Sequence, residues 1–222
     1  MNSLNARQKI GVFDSGKGGK SVALALETAF PEHDIVFIAD EKNMPYGSRS
    51  EDELQRLVLP KLRQLEAAGC AVVVIACNTV STTVLPQLQK QISTPLIGVE
   101  PMVKQAASAT KSQKIIVCAT PTTLNSQRYK QLKTQISDSI LIFEPDCGDW
   151  AFLIESNQIN RNKIAKLIEP ILKQGADVVV LGCTHYHWIE HEIKEICGKN
   201  ILILQPESLI IKQLRLMLKQ LP

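Results

Sequence analysis

Apolar runs punctuate the chain at regular intervals: IGVF from residue 10, DIVFIA from 34, AVVVIA from 71, PLIGV from 95, IIVCA from 115, ILIF from 140, DVVVLG from 177 and ILIL from 201. Most are continuous rather than alternating, the pattern of strands covered on both faces in a parallel sheet. Between them the period changes to that of helices. The stretches LQRLVLPKLRQLEAAG, 54 to 69, and NKIAKLIEPILKQG, 162 to 175, carry apolar stripes at helical spacing and stop at a glycine suited to a helix C-terminus. Strand and helix alternate along the whole length, which predicts an α/β fold.

The pattern also repeats. A shift of 106 residues lays Ile10 on Ile116, IVFIAD (35 to 40) on LIFEPD (141 to 146), GCAVVVIACNT (69 to 79) on GADVVVLGCTH (175 to 185), and LIGV (96 to 99) on LILQ (202 to 205). The expected architecture is therefore two similar domains related by a pseudo-twofold axis, each a mainly parallel four-stranded sheet flanked by helices. Ligands bind beyond the carboxyl ends of such strands, so the strand-end loops of both domains should surround one inter-domain cleft, the expected active site. The first domain is expected to span 1–99 and to recover the C-terminal segment 207–222, whose ESLIIKQLRLMLKQL reads as a helix with core-facing positions; the second should span 100–206.

Composition narrows the classes. With 45% hydrophobic residues, the 222-residue chain can build normal packed cores. Its 25 basic and 22 acidic residues are interspersed, for a net charge of +3, and aromatic residues are few, so nucleic acid is not an expected partner. The N-terminal MNSLNARQK is polar and too short for a signal peptide, and no apolar run approaches the roughly 18 residues of a membrane span, so no membrane partner and a cytoplasmic location are expected. Six cysteines without any CxxC pair argue against a disulfide framework or a zinc ribbon.

The loop VFDSGKGGKS, 12 to 21, comes close to a phosphate-binding P-loop and fails it in both frames. One frame puts Gly18 where the magnesium-binding hydroxyl belongs, and the other puts Asp14 in place of the opening glycine. What remains is a glycine-rich turn with free N–H groups for some anion, and Asp14 and Ser15 beside it. The other predicted strand-end loops hold Asp40 and PYGS (45 to 48), then Cys77, Asn78 and Thr79 in the first copy. In the second they hold TPTT (120 to 123), the segment Asp146 to Glu155, and Cys183, Thr184 and His185.

Cys77 and Cys183 are equivalent under the repeat, so the axis sets them on opposite walls of the cleft. A cysteine between a strand end and a helix start is expected to have its pKa drawn below about 8.5 by unpaired N–H groups and the helix dipole. Two thiols flanking one small ligand suit stereoinversion at carbon, with one removing a proton from one face and the other donating to the opposite face. Ser15, Asn78, Thr79, Thr122 and Thr184 suit a small zwitterion, with Asp14 for its ammonium group. No cofactor motif is present, and no paired pyridoxal-phosphate signature.

FDSGKGG, MPYGS, ACNT, the downstream Glu155 and GCTHY resemble, in this order, the motifs of the cofactor-independent glutamate racemases within the aspartate/glutamate racemase superfamily. The resemblance runs from about residue 9 to 210. It implies interconversion of L- and D-glutamate, with D-glutamate destined for peptidoglycan. It also implies Cys77 and Cys183 as the acid/base thiols, Asp14 and His185 assisting them respectively, and Glu155 near the second thiol. Asp14, Ser15, Pro45, Tyr46, Gly47, Ser48, Asn78, Thr79, Thr122, Thr123 and Thr184 match positions lining the substrate. The implied partner is a small amino acid, and a homodimer is among the assemblies allowed. Departures are Lys17 and Lys20 at commonly apolar positions, the segment DCGDWAF (146 to 152), His187 and Trp188 where Pro-Leu is usual, and a shorter connection from Glu155 to Gly175. Rival readings are a racemase for aspartate or another amino acid, an amino-acid-binding paralogue without turnover, and a lyase or isomerase using one cysteine.

Elsewhere simpler expectations hold. Cys70, Cys118 and Cys197 lack strand-end polar partners and read as packing, while Cys147 is open. Cys183 with His185, His187 and His191 could suggest zinc, but alternate residues at a helix start diverge, so no metal is expected. Asp40 and Asp146 are either turn caps or site residues.

Overall fold

The computed structural model describes residues 7–220; the start of the polar N-terminal stretch, residues 1–6, lies outside them, as do the last two residues of the C-terminal segment. The elements in order are β1 (Lys9–Asp14), α1 (Lys20–Ala29), β2 (Asp34–Ala39), α2 (Glu51–Ala67), β3 (Cys70–Ile75), α3 (Asn78–Thr83), α4 (Leu85–Gln89) and β4 (Leu96–Gly98). Then follow α5 (Val103–Ala109), β5 (Lys114–Ala119), α6 (Pro121–Asn125), α7 (Gln127–Lys133), β6 (Leu141–Phe143), α8 (Trp150–Glu155), α9 (Arg161–Leu172), β7 (Val178–Gly182), α10 (Glu190–Cys197), β8 (Leu202–Leu204) and α11 (Glu207–Leu218).

Two four-stranded sheets form, ordered β2-β1-β3-β4 and β6-β5-β7-β8, with every pairing parallel. The duplication thus survives as identical topology. The central strands β1, β3, β5 and β7 are almost wholly buried, as their unbroken apolar runs require. Three of the four edge strands differ from that expectation: β2 is only half-buried, and Leu141 of β6 and Leu202 of β8 are exposed, whereas β4 is mostly buried. A continuous apolar run reports that both faces are covered and is silent about an open edge.

Each sheet is sandwiched by helices. One face of the first sheet packs Phe13, Val73 and Ile75 against Leu54, Val58, Leu62 and Leu65 of α2. The other packs Ile10, Val12, Val72 and Val74 against Val22 and Leu26 of α1 and Ile210 and Leu214 of α11. The second sheet meets Ile164 and Ile168 of α9 on one face and Val103, Ala106, Tyr129 and Leu132 on the other. Ser50 opens α2 with a reciprocal capping box to Glu53, and beyond the ends of α2 and α9 Gly69 and Gly175 take φ of +78° and +94°, conformations that a side chain would disfavour.

This topology positions the site. In each sheet the chain leaves β1 or β5 toward one neighbour and returns on its other side at β3 or β7. The loops after those paired central strands therefore part, opening a crevice at each switch point. Asp14 ends β1 and Cys77 follows β3, while Thr120 follows β5 and Cys183 follows β7. Among the described residues no helix is long and apolar enough to cross a membrane.

Candidate active site between the two sheets

A cavity of about 160 Å³ lies where the two crevices meet, and both Cys77 and Cys183 line it. It is small beside the roughly 300 Å³ at which drug-sized pockets begin, which fits a metabolite of a few heavy atoms. Ser15, the loop from Met44 to Ser48, Asn78 and Thr79 contribute from the first sheet's side; Thr120, Pro121, Gly148, Ala151, Thr184 and His185 contribute from the second.

Each thiol has its own polar backing. Cys77 Sγ donates to Ser15 Oγ at 3.5 Å, and Ser15 Oγ donates to Asp14 Oδ1 at 3.2 Å. Cys183 Sγ lies 3.7 Å from His185 Nδ1, and the other ring nitrogen lies 2.9 Å from Glu155 Oε1. Glu155 is oriented in turn by the Lys17 backbone N–H at 2.6 Å, so the first domain's glycine loop holds the second domain's histidine pair. Thr184 Oγ1 donates to Asp14 Oδ2 at 2.7 Å, a second tie across the cleft.

The glycine loop is therefore shaped by close approach. A Cβ on Gly16 would sit 2.5 Å from Glu155 Oε1 and 2.9 Å from His185 Nε2, and one on Gly18 would sit 2.7 Å from the His185 backbone nitrogen. Lys20 is exposed, and Lys17, though exposed, sets its Nζ 3.9 Å from Glu155 Oε2 and 3.9 Å from Glu41 Oε2. Asn78 is 3% exposed, and neither atom of its amide has a hydrogen-bond partner among the described residues. A buried donor and acceptor left open on a cavity wall call for a polar guest.

Cys77, backed by Ser15, and Cys183, backed by His185 and Glu155, line one cavity from two domains, and over residues 20–213 the sequence matches the Asp/Glu/hydantoin racemase family. The chain belongs to that family. Curated relatives include a glutamate racemase of Cupriavidus pinatubonensis, 37% identical over 92% of this chain and 77% of that protein. Another is a glutamate racemase of Herpetosiphon aurantiacus, 33% identical over 93% of this chain and 83% of its own. Among solved structures, Escherichia coli glutamate racemase in complex with L-glutamate and the activator UDP-MurNAc-Ala superposes with a TM-score of 0.90 at 26% identity, covering 97% of this chain and 84% of that one. Glutamate racemase from Aquifex pyrophilus gives 0.76 at 32% identity, covering 95% and 84%.

The electrostatics of this family member differ between Cys77 on one wall and His185 on the other. The expected lowering of the Cys77 pKa is not found: burial, followed by the Asp14 carboxylate, pushes the thiol up to about 12. The hydroxyl of Ser15 and the Val80 backbone N–H pull the other way and lose. Helix α3 is only six residues long, so its dipole is weak against desolvation and a nearby negative charge. On the opposite wall burial opposes charging of His185, but Cys183, Glu155 and Asp14 outweigh it and raise the imidazole to about 10. The Glu155 carboxyl is held below its ordinary range by its hydrogen bond to His185, against burial, with the Lys17 N–H assisting. At neutral pH an imidazolium therefore stands beside Cys183, and a neutral thiol stands at Cys77.

Linkage makes this measurable. A histidine raised from 6.5 to about 10 on folding contributes stability that is complete below pH 6.5 and is lost as pH rises through 10. The denaturant midpoint of the wild-type protein is expected to fall toward that of His185→Asn across this window, and parallel curves would contradict the assignment.

Several expected site residues sit behind the wall. Asp14 is fully buried and reaches the cavity through Ser15 and Thr184, whose hydroxyls, with the Gly16 N–H, occupy its carboxylate. Thr122 does not line the cavity, since its hydroxyl donates to the Gly47 carbonyl at 2.6 Å and straps the PYGS loop to the second domain. Thr123 is turned inward, with its hydroxyl 2.9 Å from that of Thr120. Glu155 likewise lies behind His185, which lines the cavity. Thr120 was the informative omission: the 106-residue shift pairs it with Asp14, and its hydroxyl lies 3.0 Å from that of Thr79 across the cleft. Met44, Gly148 and Ala151 carry no reactive group that would have singled them out.

Asp40 and Asp146 diverge despite their equivalence. Asp40 is buried under the PYGS loop, accepts the Tyr46 hydroxyl at 2.6 Å and both its oxygens accept from Asn43, with Lys61 at 3.4 Å. Asp146 is exposed and accepts the Gly148 N–H at 3.1 Å, as a turn residue does. Cys70 and Cys118 are core residues, Cys197 is half-buried, and Cys147 packs in the second core beside the carbonyl that receives the Tyr186 hydroxyl. His187 turns to Glu207 at 2.7 Å while exposed His191 turns to Glu195 at 3.2 Å.

Proposed function

We propose that this chain interconverts L- and D-glutamate by two-base proton transfer at Cα, with Cys77 and Cys183 as the catalytic residues, and that the D-glutamate serves peptidoglycan synthesis and cell shape. The observation that carries this reading is the pair of thiols lining one small cavity from two domains. Asp14 and His185 with Glu155 act as positioning groups behind them. Ser15, Pro45, Tyr46, Gly47, Ser48, Asn78, Thr79, Thr120 and Thr184 form the substrate shell. The proposed domain limits are 1–99 with 207–222, and 100–206. Six free cysteines support a reducing, cytoplasmic setting.

The resting state of the first wall assigns one role. Neutral Cys77 is the resting proton donor, and Cys183, facing the His185 imidazolium, serves the opposite face. A substrate ammonium entering beside Ser15 offsets the Asp14 charge and eases Cys77 toward the thiolate needed for the reverse direction. The carbanion that forms between them depends on fixed dipoles, such as the open Asn78 amide, and on exclusion of water.

Circular dichroism of single enantiomers tests the substrate. Loss of signal with L- or D-glutamate and none with aspartate is the expected outcome. Loss with aspartate alone would replace the substrate, and binding without any loss would make the chain an amino-acid-binding protein. Gly16→Ala tests the backing of the second thiol. The added methyl must displace Glu155 or His185, and misplacement on this scale is expected to cost about 100-fold in kcat with the far-ultraviolet spectrum unchanged.

A further inference from the structure

His187 and Trp188 depart from the dipeptide usual after GCTHY, and their contacts lead away from the cavity. The side chain of His187 is buried, with Nδ1 2.7 Å from Glu207 Oε1 of α11 and 3.1 Å from Ser21 Oγ of α1. Ser21 Oγ also donates to the Gly18 carbonyl at 3.1 Å, and Trp188 Nε1 donates to that same oxygen at 3.3 Å. Gly18 is the residue pressed against the His185 backbone. A side chain of the second domain is thus clasped by two helices on the first sheet, one short 3₁₀ turn beyond Cys183. The far ring nitrogen of His187 has no partner among the described residues, so the histidine is held from one side only, by Glu207 and Ser21.

We propose that Ser21, His187 and Glu207 form an inter-domain latch that fixes the spacing between the two thiols, with His187 and Glu207 as positioning residues for turnover. The inference rests on the two-thiol reading of the cavity. The physical reason is leverage. The turn Thr184–Ile189 carries His185 and begins at Cys183, so clasping its far end to α1 and α11 limits how far Cys183 can swing from the Cys77 wall. A charge-assisted hydrogen bond to a buried group shifts an open–closed ratio by about tenfold or more when removed. Because the clasp lies outside the cavity, its loss removes no substrate contact from the closed state and changes only the population of that state, in which both sulfurs reach one guest.

The test reads thiol spacing directly. Dibromoacetone, which links two thiols through a short bridge, is applied to wild type, Glu207→Gln and Glu207→Ala, and the bridged Cys77–Cys183 peptide is quantified by mass spectrometry. Single-thiol labelling with iodoacetamide and thermal unfolding are followed in parallel. The expected result is bridging that falls in the order wild type, Glu207→Gln, Glu207→Ala, about fivefold by the last, with kcat/KM falling alongside while single-thiol labelling holds. Bridging in Glu207→Ala within about 1.5-fold of wild type would overturn the latch, and if that variant does not fold, the same criterion applies to Glu207→Gln. Bridging that falls in a protein that racemises nothing would keep the latch and sink the glutamate reading, so the two failures are distinguishable.

Discussion

Serine in place of Cys183 is expected to lower glutamate racemisation by about 10³-fold or more, and serine in place of Cys77 by a comparable factor. Cys77 and Cys183 both line the cavity, and they enter it from the ends of strands in two different sheets. A serine hydroxyl keeps the shape and the hydrogen bonds but is a far weaker acid than a thiol, so the face it serves loses its proton carrier. Each variant should therefore still exchange the Cα hydrogen of one enantiomer only, and the two variants should retain opposite ones. Racemisation at wild-type rate in both would refute the two-base mechanism. Loss in one variant alone would point to a one-cysteine lyase or isomerase.

Asp14→Asn carries the second large effect, and its two readouts move in opposite senses. Asp14 is, after burial, the main cause that lifts the Cys77 thiol to about 12. Removing its charge should lower that pKa, so thiolate absorbance or alkylation at Cys77 appears at lower pH than in wild type. Catalysis should nevertheless fall, by about 100-fold, because the carboxylate orders Ser15 behind Cys77 and ties Thr184 across the cleft. A variant with a higher thiol pKa would show that Asp14 stabilises the thiolate. Unchanged turnover would show that the bracing of Ser15 and Thr184 is dispensable.

The architecture was legible because the duplication is written in apolar residues. GCAVVVIACNT and GADVVVLGCTH align three valines and a cysteine, and those valines pair with the central strand of each sheet. Once two equivalent strand ends are known, parallel-sheet topology alone sends both cysteines toward one crevice. Edge exposure was not legible, since DIVFIA and AVVVIA look alike while only the latter lies mid-sheet. The Cys77 pKa departs from the sequence pattern for a similar reason: its neighbours in sequence suggest a helix terminus, whereas its energetics come from burial and from Asp14, 63 positions earlier. The strap from Thr122 to Gly47 and the clasp of His187 depend on how the two copies face each other, which no local pattern encodes.

Hydrogen bookkeeping in heavy water addresses the two-thiol chemistry most directly. L-glutamate is incubated with the wild-type protein in D₂O to low conversion, and the product and the remaining substrate are examined at Cα by mass spectrometry. Deuterium in the D-glutamate from the first turnovers, with protium retained in the unreacted L-glutamate, is the expected result, because the donating sulfur carries a solvent-derived deuteron and the abstracting one keeps the proton it took. D-glutamate that retains the original protium would mean that a single base moves the hydrogen from face to face, and the opposed pair of cysteines would lose its assigned role.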